Sequence, residues 1–222
     1  MLKQSMRFLI RRFPKLMTYP KMMAYEMLML SENSYLYTSG WMESLKRGYP
    51  CDKNGAALPW MNFSVIAFLE QRLSKKHILF EYGSGYSTLF YARHVDHVSS
   101  VEYDQAWFQN IQQKAPTNVT LVFQEQDIDG DYCRTITRAS QKYDVVIVDG
   151  RDRVNCIRQG IHHLSDSGVM LLDDSHRERY QEGIAFAKSQ GFKTIDFEGL
   201  KPAGTSRDRT TIFYRQNNCL GL

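Results

Sequence analysis

The sequence predicts an α/β fold built on one seven-stranded sheet, mostly parallel, with helices on both of its faces. From about residue 77 onward, short runs rich in β-branched residues alternate with segments of helical periodicity. Such alternation is typical of parallel sheets, in which a helix connects each strand to the next. The composition agrees, because 43% of the 222 residues are hydrophobic and 23% are charged, enough for a sizeable core and unlike a disordered chain.

The predicted strands are short, and one of them is nearly all apolar. The run YDVVIVD at residues 143–149 has the composition of a strand that is covered on both faces. The predicted strands are residues 77–82, 98–102, 119–124, 143–149, 168–173, 193–198 and 210–215. Helices are predicted at residues 62–74, 86–93, from Asp104 onward, near 132–140 and 154–164, and at 177–190.

The last strand is predicted to run antiparallel to its neighbour. Only eleven residues separate Glu198 from Thr210, and they include Gly199, Pro202 and Gly204. A parallel crossover needs a dozen or more residues, usually with a helix, whereas a short turn-rich connection suits an antiparallel pair.

The first quarter of the chain carries the whole positive excess. Residues 1–56 hold nine Lys and Arg against four Asp and Glu, whereas residues 57–222 hold nineteen against twenty. We therefore predict two parts: a basic helical N-terminal arm, residues 1–56, and a nearly neutral body, residues 57–222. This distribution argues against a uniformly basic nucleic-acid-binding protein.

The start of the arm is basic and amphipathic. Residues 3–21 contain six basic residues and no acid, interleaved with apolar residues. Such a segment can lie on an anionic membrane surface. The alternative is a helix packed on the body or on a second subunit, so the arm predicts either peripheral membrane contact or a homodimer.

Targeting signals and cysteines bear on the cellular compartment. The early apolar run at residues 8–10 is too short for a signal-peptide core, and the run at 22–30 is too short to span a bilayer. The four cysteines are far apart and form no Cys-x-x-Cys pair, which favours reduced thiols. We expect a cytoplasmic protein, with the inner face of the membrane as an alternative position.

A glycine-rich turn follows the first predicted strand. Residues 81–88 read EYGSGYST, so Gly83 and Gly85 lie between a strand and a helix. In α/β sheets of this type the ligand binds outside the carboxyl ends of the strands, near this first turn. The second strand ends at Glu102, a position from which a carboxylate can accept hydrogen bonds from two ribose hydroxyls.

Two classes of ligand fit a turn of this kind, and the neighbouring residues favour one of them. A dinucleotide places its pyrophosphate at the helix N-terminus, commonly beside a third small residue, whereas Thr88 occupies that position. Glu81, two residues before the first glycine, would repel an anion and attract a cation. This preference favours S-adenosylmethionine, which carries amino and sulfonium groups, over NAD.

These motifs resemble those of class I S-adenosylmethionine-dependent methyltransferases. The segments EYGSGYST, VEYD, YDVVIVDG and VMLLDD carry the resemblance, which covers residues 60–215 and implies a Rossmann-like sheet and this cofactor. Residues 58–61 with VDGRDR and LLDDSHR further resemble bacterial methyltransferases associated with surface-polysaccharide synthesis. The expected cofactor-binding residues are Glu81, Tyr82, Gly83, Ser84, Gly85, Ser87, Glu102, Tyr103, Asp127 and Asp149.

Three carboxylates are expected at the ends of strands four and five. Asp149, Asp173 and Asp174 would repel one another unless a cation or protons offset their charges, and oxygen ligands suit Mg²⁺, Mn²⁺ or Ca²⁺. The layout is similar to that of metal-dependent catechol and sugar O-methyltransferases, which use Asp-Asn where this chain has Asp-Asp. The alternative is that these residues are structural, with an aspartate capping the next helix.

Methyl transfer to a hydroxyl also requires alignment of the acceptor and removal of its proton. His176 and Asp149 are the predicted catalytic residues, His176 because its unperturbed pKa lies near neutrality, with a solvated loop residue as the alternative for His176. Arg151 and Arg153 are predicted to hold an acidic sugar or a phosphate of the acceptor, or otherwise to be solvated at a helix start. Trp60 is expected to anchor the following helix in the core, with a lid over the cofactor as the alternative.

The predicted function is O-methylation of a hydroxyl, on a sugar of a glycan or glycolipid precursor, with S-adenosylmethionine as the methyl donor. The body is not basic, and no Asp/Asn-Pro-Pro-aromatic motif follows strand four, so nucleic acid is not expected as a substrate. The alternatives are an O-methyltransferase of a small metabolite, an NAD(P)-dependent oxidoreductase, and a non-catalytic membrane-associated assembly protein.

Overall fold

A computed structural model describes residues 20–222 together with Phe8 and Arg12. Most of the basic amphipathic segment at residues 3–21 therefore lies outside the described residues. Within the described part of the chain, no helix combines the length and the apolar character needed to cross a bilayer.

The chain forms one seven-stranded sheet of order β3-β2-β1-β4-β5-β7-β6. β7 is antiparallel to both β5 and β6, and the remaining pairs are parallel. Both the predicted fold class and the antiparallel last strand are confirmed. The strands are β1 Ile78–Tyr82, β2 His97–Glu102, β3 Val119–Phe123, β4 Tyr143–Val148, β5 Leu164–Leu172, β6 Lys193–Leu200 and β7 Arg207–Tyr214.

Helices connect the strands and precede them. Within residues 20–56 the structure describes three short helices, with a π-helical turn, Glu26–Leu30, after the first of them. Single 3₁₀ turns, Thr135–Arg138, Ile161–His163 and Glu178–Tyr180, flank the last three helices. The helices are α1 Pro20–Tyr25, α2 Tyr35–Thr38, α3 Trp41–Arg47, α4 Phe63–Arg72, α5 Tyr86–His94, α6 Gln105–Gln112, α7 Asp131–Arg134, α8 Arg153–Gly160 and α9 Gln181–Ser189.

Alternation along the central strands fills a separate core on each face of the sheet. In β4, Val145 and Ile147 pack on one side, whereas Val146 and Val148 pack on the other. Successive residues of a strand point to opposite faces, so a strand covered on both sides must be apolar throughout. The sheet is thereby held rigid between two layers of helices, with the carboxyl ends of its parallel strands along one edge.

The β6–β7 hairpin is longer than the sequence predicts. The two strands pair from Lys193 opposite Tyr214 to Leu200 opposite Arg207, which leaves residues 201–206 as the connection. Arg209 Nε also lies 2.9 Å from Glu198 Oε1 across the pair. Opposite charges on facing strands contribute to strand pairing, and this extends the hairpin into a segment that reads as loop because of its proline and glycine.

The N-terminal segment packs on the body from α3 onward. Trp41 is buried in the same core as Leu58, and its indole Nε1 donates a hydrogen bond of 2.6 Å to the Gly204 carbonyl. Ser44 Oγ both donates to the Cys51 carbonyl and accepts from its amide, at 2.9 Å each. Residue 41 therefore contacts the β6–β7 connection, while the domain boundary after residue 56 stays a prediction.

Candidate active site

The glycine turn faces a cleft of about 630 Å³ at the carboxyl ends of β1, β2 and β4. Its walls come from the β1–α5 turn, the start of α6, the β4–α8 loop and two segments that precede β1. The lining residues are Gly48, Pro50, Trp60, Gly83, Ser84, Gly85, Tyr86, Ser87, Glu102, Tyr103, Asp104, Trp107, Asp149, Gly150, Arg151 and Arg153. A ligand of cofactor size fits a cleft of this volume.

Gly83 is required by the geometry of the turn. Its φ is +93°, in the region that favours glycine, and a Cβ there would lie 2.7 Å from the Gly150 Cα. Gly83 N also donates to the Val101 carbonyl at 2.9 Å. The turn is thus fixed against both β2 and the β4–α8 loop.

Glu81 lies beneath the glycine turn and is not part of the cleft wall. Its carboxylate is fully buried and accepts hydrogen bonds from Ser87 Oγ and Thr88 Oγ1, each at 2.5 Å, and from Ser100 Oγ at 2.8 Å. Burial raises the pKa of Glu81 to about 7, although the three hydroxyls oppose that rise. Its oxygens are directed to the hydroxyls that shape the turn, so Glu81 lies outside the cleft wall and its contact with the cofactor stays a prediction.

Replacing Glu81 with glutamine is expected to change the pH dependence of stability. The pKa of Glu81 is about 7 in the folded state, raised from 4.5. The contribution of Glu81 to the free energy of unfolding of the wild type is therefore greatest below pH 4.5 and is lost as pH rises to about 7. Glu81→Gln removes this loss, so its free energy of unfolding relative to wild type should rise by up to about 3 kcal/mol between pH 4.5 and 7. Urea denaturation across this pH range measures the difference.

The matched control for this prediction is Glu125→Gln, which replaces an exposed glutamate. Its free energy of unfolding should follow that of the wild type at every pH. If the Glu81→Gln and wild-type curves are parallel over the same range, Glu81 does not titrate as the structure indicates.

Glu102 lies in the cleft as predicted, and donors of the chain hold it in place. Its Oε2 accepts from the amide of Ser84 at 2.9 Å, and its Oε1 accepts from the amides of Tyr103 and Asp104, also at 2.9 Å. Asp104 caps α6 by accepting from the Trp107 amide at 2.8 Å, as its position before the helix predicts. The second carboxylate of the expected cofactor site is therefore pre-oriented by the backbone.

Two other residues of the predicted cofactor set lie outside the cleft wall. Tyr82 is fully buried in the core on the face of β1 opposite to Glu81, and its hydroxyl donates to the Cys133 carbonyl at 2.7 Å. Asp127 accepts from the amides of Asp131 and Tyr132 at 2.6 and 3.1 Å, so it orders the start of α7. Of the two, Asp127 alone lines the adjoining cleft described below.

Three aromatic residues outside the predicted cofactor set line the cleft: Trp60, Tyr86 and Trp107. Trp60 is 55% exposed and lines the cleft, so the expectation that it anchors the core is wrong. Trp107, which sequence reasoning missed, also lines the cleft and donates from Nε1 to the Ser84 carbonyl at 2.8 Å. Its signal in the sequence is its place in the first turn of the helix capped by Asp104, at the carboxyl end of β2.

Asp149 lines the cleft at the end of β4. Arg153 Nη2 lies 2.8 Å from its Oδ1, and the same guanidinium also donates to the carbonyls of Gly150 and Asp173. Burial and, after it, the charge of Asp173 raise the pKa of Asp149 to about 7. A carboxylate in this state can hold a proton near neutrality, which suits a general base. Arg153 is 8% exposed and saturated by the chain, so the prediction that it binds substrate is not supported.

The acidic residues at the end of β5 are neutralised by side chains of the protein. Lys201 Nζ lies 2.8 Å from Asp173 Oδ2 and 2.9 Å from Asp174 Oδ1. Arg177 Nη2 lies 2.6 Å from the other oxygen of Asp174, and Thr210 Oγ1 donates to Asp173 Oδ1 at 2.7 Å. Burial disfavours ionisation of Asp174, but the charge and hydrogen bond of Lys201 prevail and lower its pKa to about 2.

This arrangement does not fit the metal site that the sequence predicts. The prediction rests on the need for a cation among Asp149, Asp173 and Asp174, and Lys201 and Arg153 already supply that charge. A divalent ion bound between Asp173 and Asp174 would have to displace the Lys201 ammonium. The sequence offers no local signal that Lys201 pairs with Asp173 and Asp174, because Lys201 lies in the turn-rich connection that follows β6.

His176 is not brought to the cleft. It is exposed and absent from the cleft wall, and its Nδ1 lies 3.5 Å from Asp208 Oδ1. Asp174, His176 and Asp208 do bring potential ligand atoms within 4.8 Å of one another. Lys201 Nζ lies 3.4 Å from Asp208 Oδ2, so this group also has its own internal cation. The structure leaves Asp149 as the predicted catalytic residue that faces the cleft.

Comparisons with known proteins identify the class of fold. No family model and no curated protein sequence matches the chain. A precorrin-6y C5,15-methyltransferase from Geobacter metallireducens aligns over 69% of this chain and 87% of its own, with a TM-score of 0.53 and 13% identity. A protein from Klebsiella pneumoniae, proposed to be an O-methyltransferase, aligns over 78% and 87%, with a TM-score of 0.52 and 19% identity.

A precorrin-8w decarboxylase from Methanobacterium thermoautotrophicum has the same fold, with a TM-score of 0.50 and 17% identity over 68% of this chain and 87% of its own. The chain therefore has the Rossmann-like fold of methyltransferases, with its last strand antiparallel. Because these identities are low, the similarity establishes the fold, and the function has to be argued from the site.

Proposed function

We propose that the protein is an S-adenosylmethionine-dependent methyltransferase that acts on a hydroxyl group. The observation that carries this proposal is the cleft in which the glycine turn, Glu102 and Asp149 meet. Glu102 can accept hydrogen bonds from ribose hydroxyls, and Trp60 and Trp107 offer apolar surface to the cofactor. When bound, S-adenosylmethionine supplies a methyl group on a sulfonium that leaves as a thioether.

The charges around the turn favour this cofactor over NAD(P). A pyrophosphate at the start of α5 would approach Glu81, which is buried directly beneath the turn, and Thr88, whose hydroxyl is engaged by Glu81 and Gly85. The ionised form of Glu81, which is populated as pH rises to about 7 and above, disfavours an anion at this helix N-terminus and favours a cationic ligand there.

Asp149 is the residue proposed to take the proton of the acceptor. In transfer to an alcohol, the oxygen forms a bond to the methyl carbon, the bond from carbon to sulfur breaks, and the hydroxyl proton passes to a base. Asp149 faces the cleft and has a pKa of about 7, so the ionised and protonated forms are both accessible near neutrality. The acceptor is proposed to be a sugar of a glycan or glycolipid precursor, with a small metabolite as the second candidate.

Isothermal titration calorimetry with S-adenosylhomocysteine and with NAD⁺ tests the choice of cofactor. We expect saturable binding of S-adenosylhomocysteine and none of NAD⁺ at the same concentration. Binding of NAD⁺ alone would support the oxidoreductase alternative. A protein that binds neither would contradict the proposed function.

A further inference from the structure

A second cleft, of about 600 Å³, adjoins the first and is unusually rich in arginine. The two clefts share Gly150, Arg151 and Arg153 as walls, so they meet at the β4–α8 loop. The second cleft is lined by Gln126, Asp127, Ile128, Gly150, Arg151, Asp152, Arg153, Val154, Arg177, Arg179 and Tyr180.

Two of these arginines have no carboxylate partner among the described residues. Arg151 donates to the Tyr103 hydroxyl at 2.7 Å and lies over its ring, 4.8 Å from the centroid. Arg179 lies over the Tyr180 ring at 4.9 Å. Stacking orients both guanidinium groups while it leaves N–H donors for a ligand, the arrangement that suits arginine to bidentate recognition of anions.

The two carboxylates that line the same cleft are engaged by the chain. Asp127 accepts from backbone amides at the start of α7. Asp152 accepts from the Asp129 amide at 2.8 Å and from the Asn155 side-chain amide at 2.9 Å. Among the described residues, neither carboxylate forms an ion pair with Arg151 or Arg179, because their oxygens are taken up by these amide donors.

The loop between the clefts is held in a conformation that non-glycine residues rarely adopt. Asp152 has a φ of +45°, in the left-handed region. It separates Arg151, which turns to Tyr103, from Arg153, which turns inward to Asp149. Such strain persists where the surrounding contacts impose it, and it often marks a binding site. Arg151 and Arg153 both lie in the wall that the two clefts share.

We propose that this second cleft binds a phosphate group of the methyl acceptor, and that Arg151 and Arg179 are its main ligands. Two guanidinium groups without an ion-pair partner among the described residues match a group with two negative charges, such as a phosphate or diphosphate, better than a carboxylate with one. Since the clefts meet at Gly150, an acceptor anchored here would extend toward Asp149. The identity of the ligand as the methyl acceptor rests on the proposed function. The existence of an anion site in the second cleft does not rest on it.

The test is calorimetry of full-length protein with pyrophosphate, carried out after saturation with S-adenosylhomocysteine so that the first cleft is filled. We expect wild type to bind pyrophosphate, Arg179→Gln to weaken it about tenfold, and the double variant with Arg151→Gln to weaken it further. The matched control is Arg215→Gln. Arg215 also lies over an aromatic ring, that of Phe192 at 4.1 Å. It follows the antiparallel strand β7 and so lies at the amino ends of the parallel strands, away from the two clefts.

The outcomes separate this inference from the proposed function. Equal pyrophosphate affinity in wild type and in the double variant would overturn the proposed phosphate site. Binding of malonate as tight as that of pyrophosphate, at the same ionic strength, would also overturn it, because it would indicate a carboxylate ligand. Neither result affects binding of S-adenosylhomocysteine. The converse result is also possible: the protein binds no S-adenosylhomocysteine, but it binds pyrophosphate in a way that depends on Arg151 and Arg179. That result would support the anion site and contradict the proposed methyltransferase function.

Discussion

Replacing Gly85 with valine is expected to weaken the binding of S-adenosylhomocysteine by about a hundredfold, with little change in stability. The backbone at Gly85 is extended, with φ 179°, and a Cβ there would lie 3.6 Å from Ser87 Oγ and 3.7 Å from Trp107 Nε1. The added Cβ therefore fits the chain. Both neighbours line the cleft, so the two methyl groups of valine would occupy the space proposed for the cofactor.

The control for this prediction adds two methyl groups elsewhere. Ala185→Val changes an exposed residue of α9, away from the cleft, and should bind S-adenosylhomocysteine as the wild type does. Thermal melts of both variants verify that they are folded. Wild-type affinity in a folded Gly85→Val protein would show that the cofactor does not bind at this turn.

Replacing Lys201 with methionine is expected to lower the free energy of unfolding by about 3–5 kcal/mol at pH 7. The Lys201 ammonium contacts the carboxylates of Asp173 and Asp174, and the Asp173 side chain is 1% exposed. Removal of the ammonium therefore leaves buried negative charge without a partner. The loss should shrink at low pH, because Lys201 lowers the pKa of Asp174 to about 2 and the stability that this pair gives the wild type is lost as pH falls to that value. Chemical denaturation at pH 7 and pH 2 measures both effects.

Lys188→Met is the matched control, since Lys188 is exposed on α9 and makes no ion pair within the described part of the chain. It should unfold as the wild type does. Addition of Mg²⁺ tests the role assigned to Lys201: we expect it to raise the melting temperature of Lys201→Met and leave wild type unchanged. The methyl transfer proposed for the wild type should accordingly persist in EDTA. A wild type that is stabilised by Mg²⁺ and inactivated by EDTA would restore the metal site.

The sequence predicts most of the fold because the relevant signals are local. The apolar run of β4 and the helix cap at Asp104 each specify an element through residues that lie within a few positions of one another. The glycine turn is predicted for the same reason, since the positive φ of Gly83 is a property of that residue type. Element ends shift by a few residues where tertiary contacts, as in the β6–β7 hairpin, override local preference.

The residues that sequence reasoning misplaced depend on distant partners. Glu81 was expected in the cleft, but Ser100, on the neighbouring strand, supplies one of the hydroxyls that bind it below the turn. Lys201 reaches Asp173 across 28 positions of sequence, so nothing near either residue announces the pair. Sequence reasoning expects Trp60 to anchor the following helix, whereas its side chain lines the cleft, as large apolar side chains at ligand sites often do.

The hydrogen bond from Trp41 to Gly204 has a consequence for how the protein can be shortened or fused. Gly204 belongs to the same short connection as Lys201, and that lysine balances the charges at the end of β5. A deletion that removes α3 would release the connection from its indole anchor and leave the counterion of Asp173 less firmly positioned. A shortened chain that is meant to retain the site should therefore begin before residue 41, well upstream of the glycine turn itself.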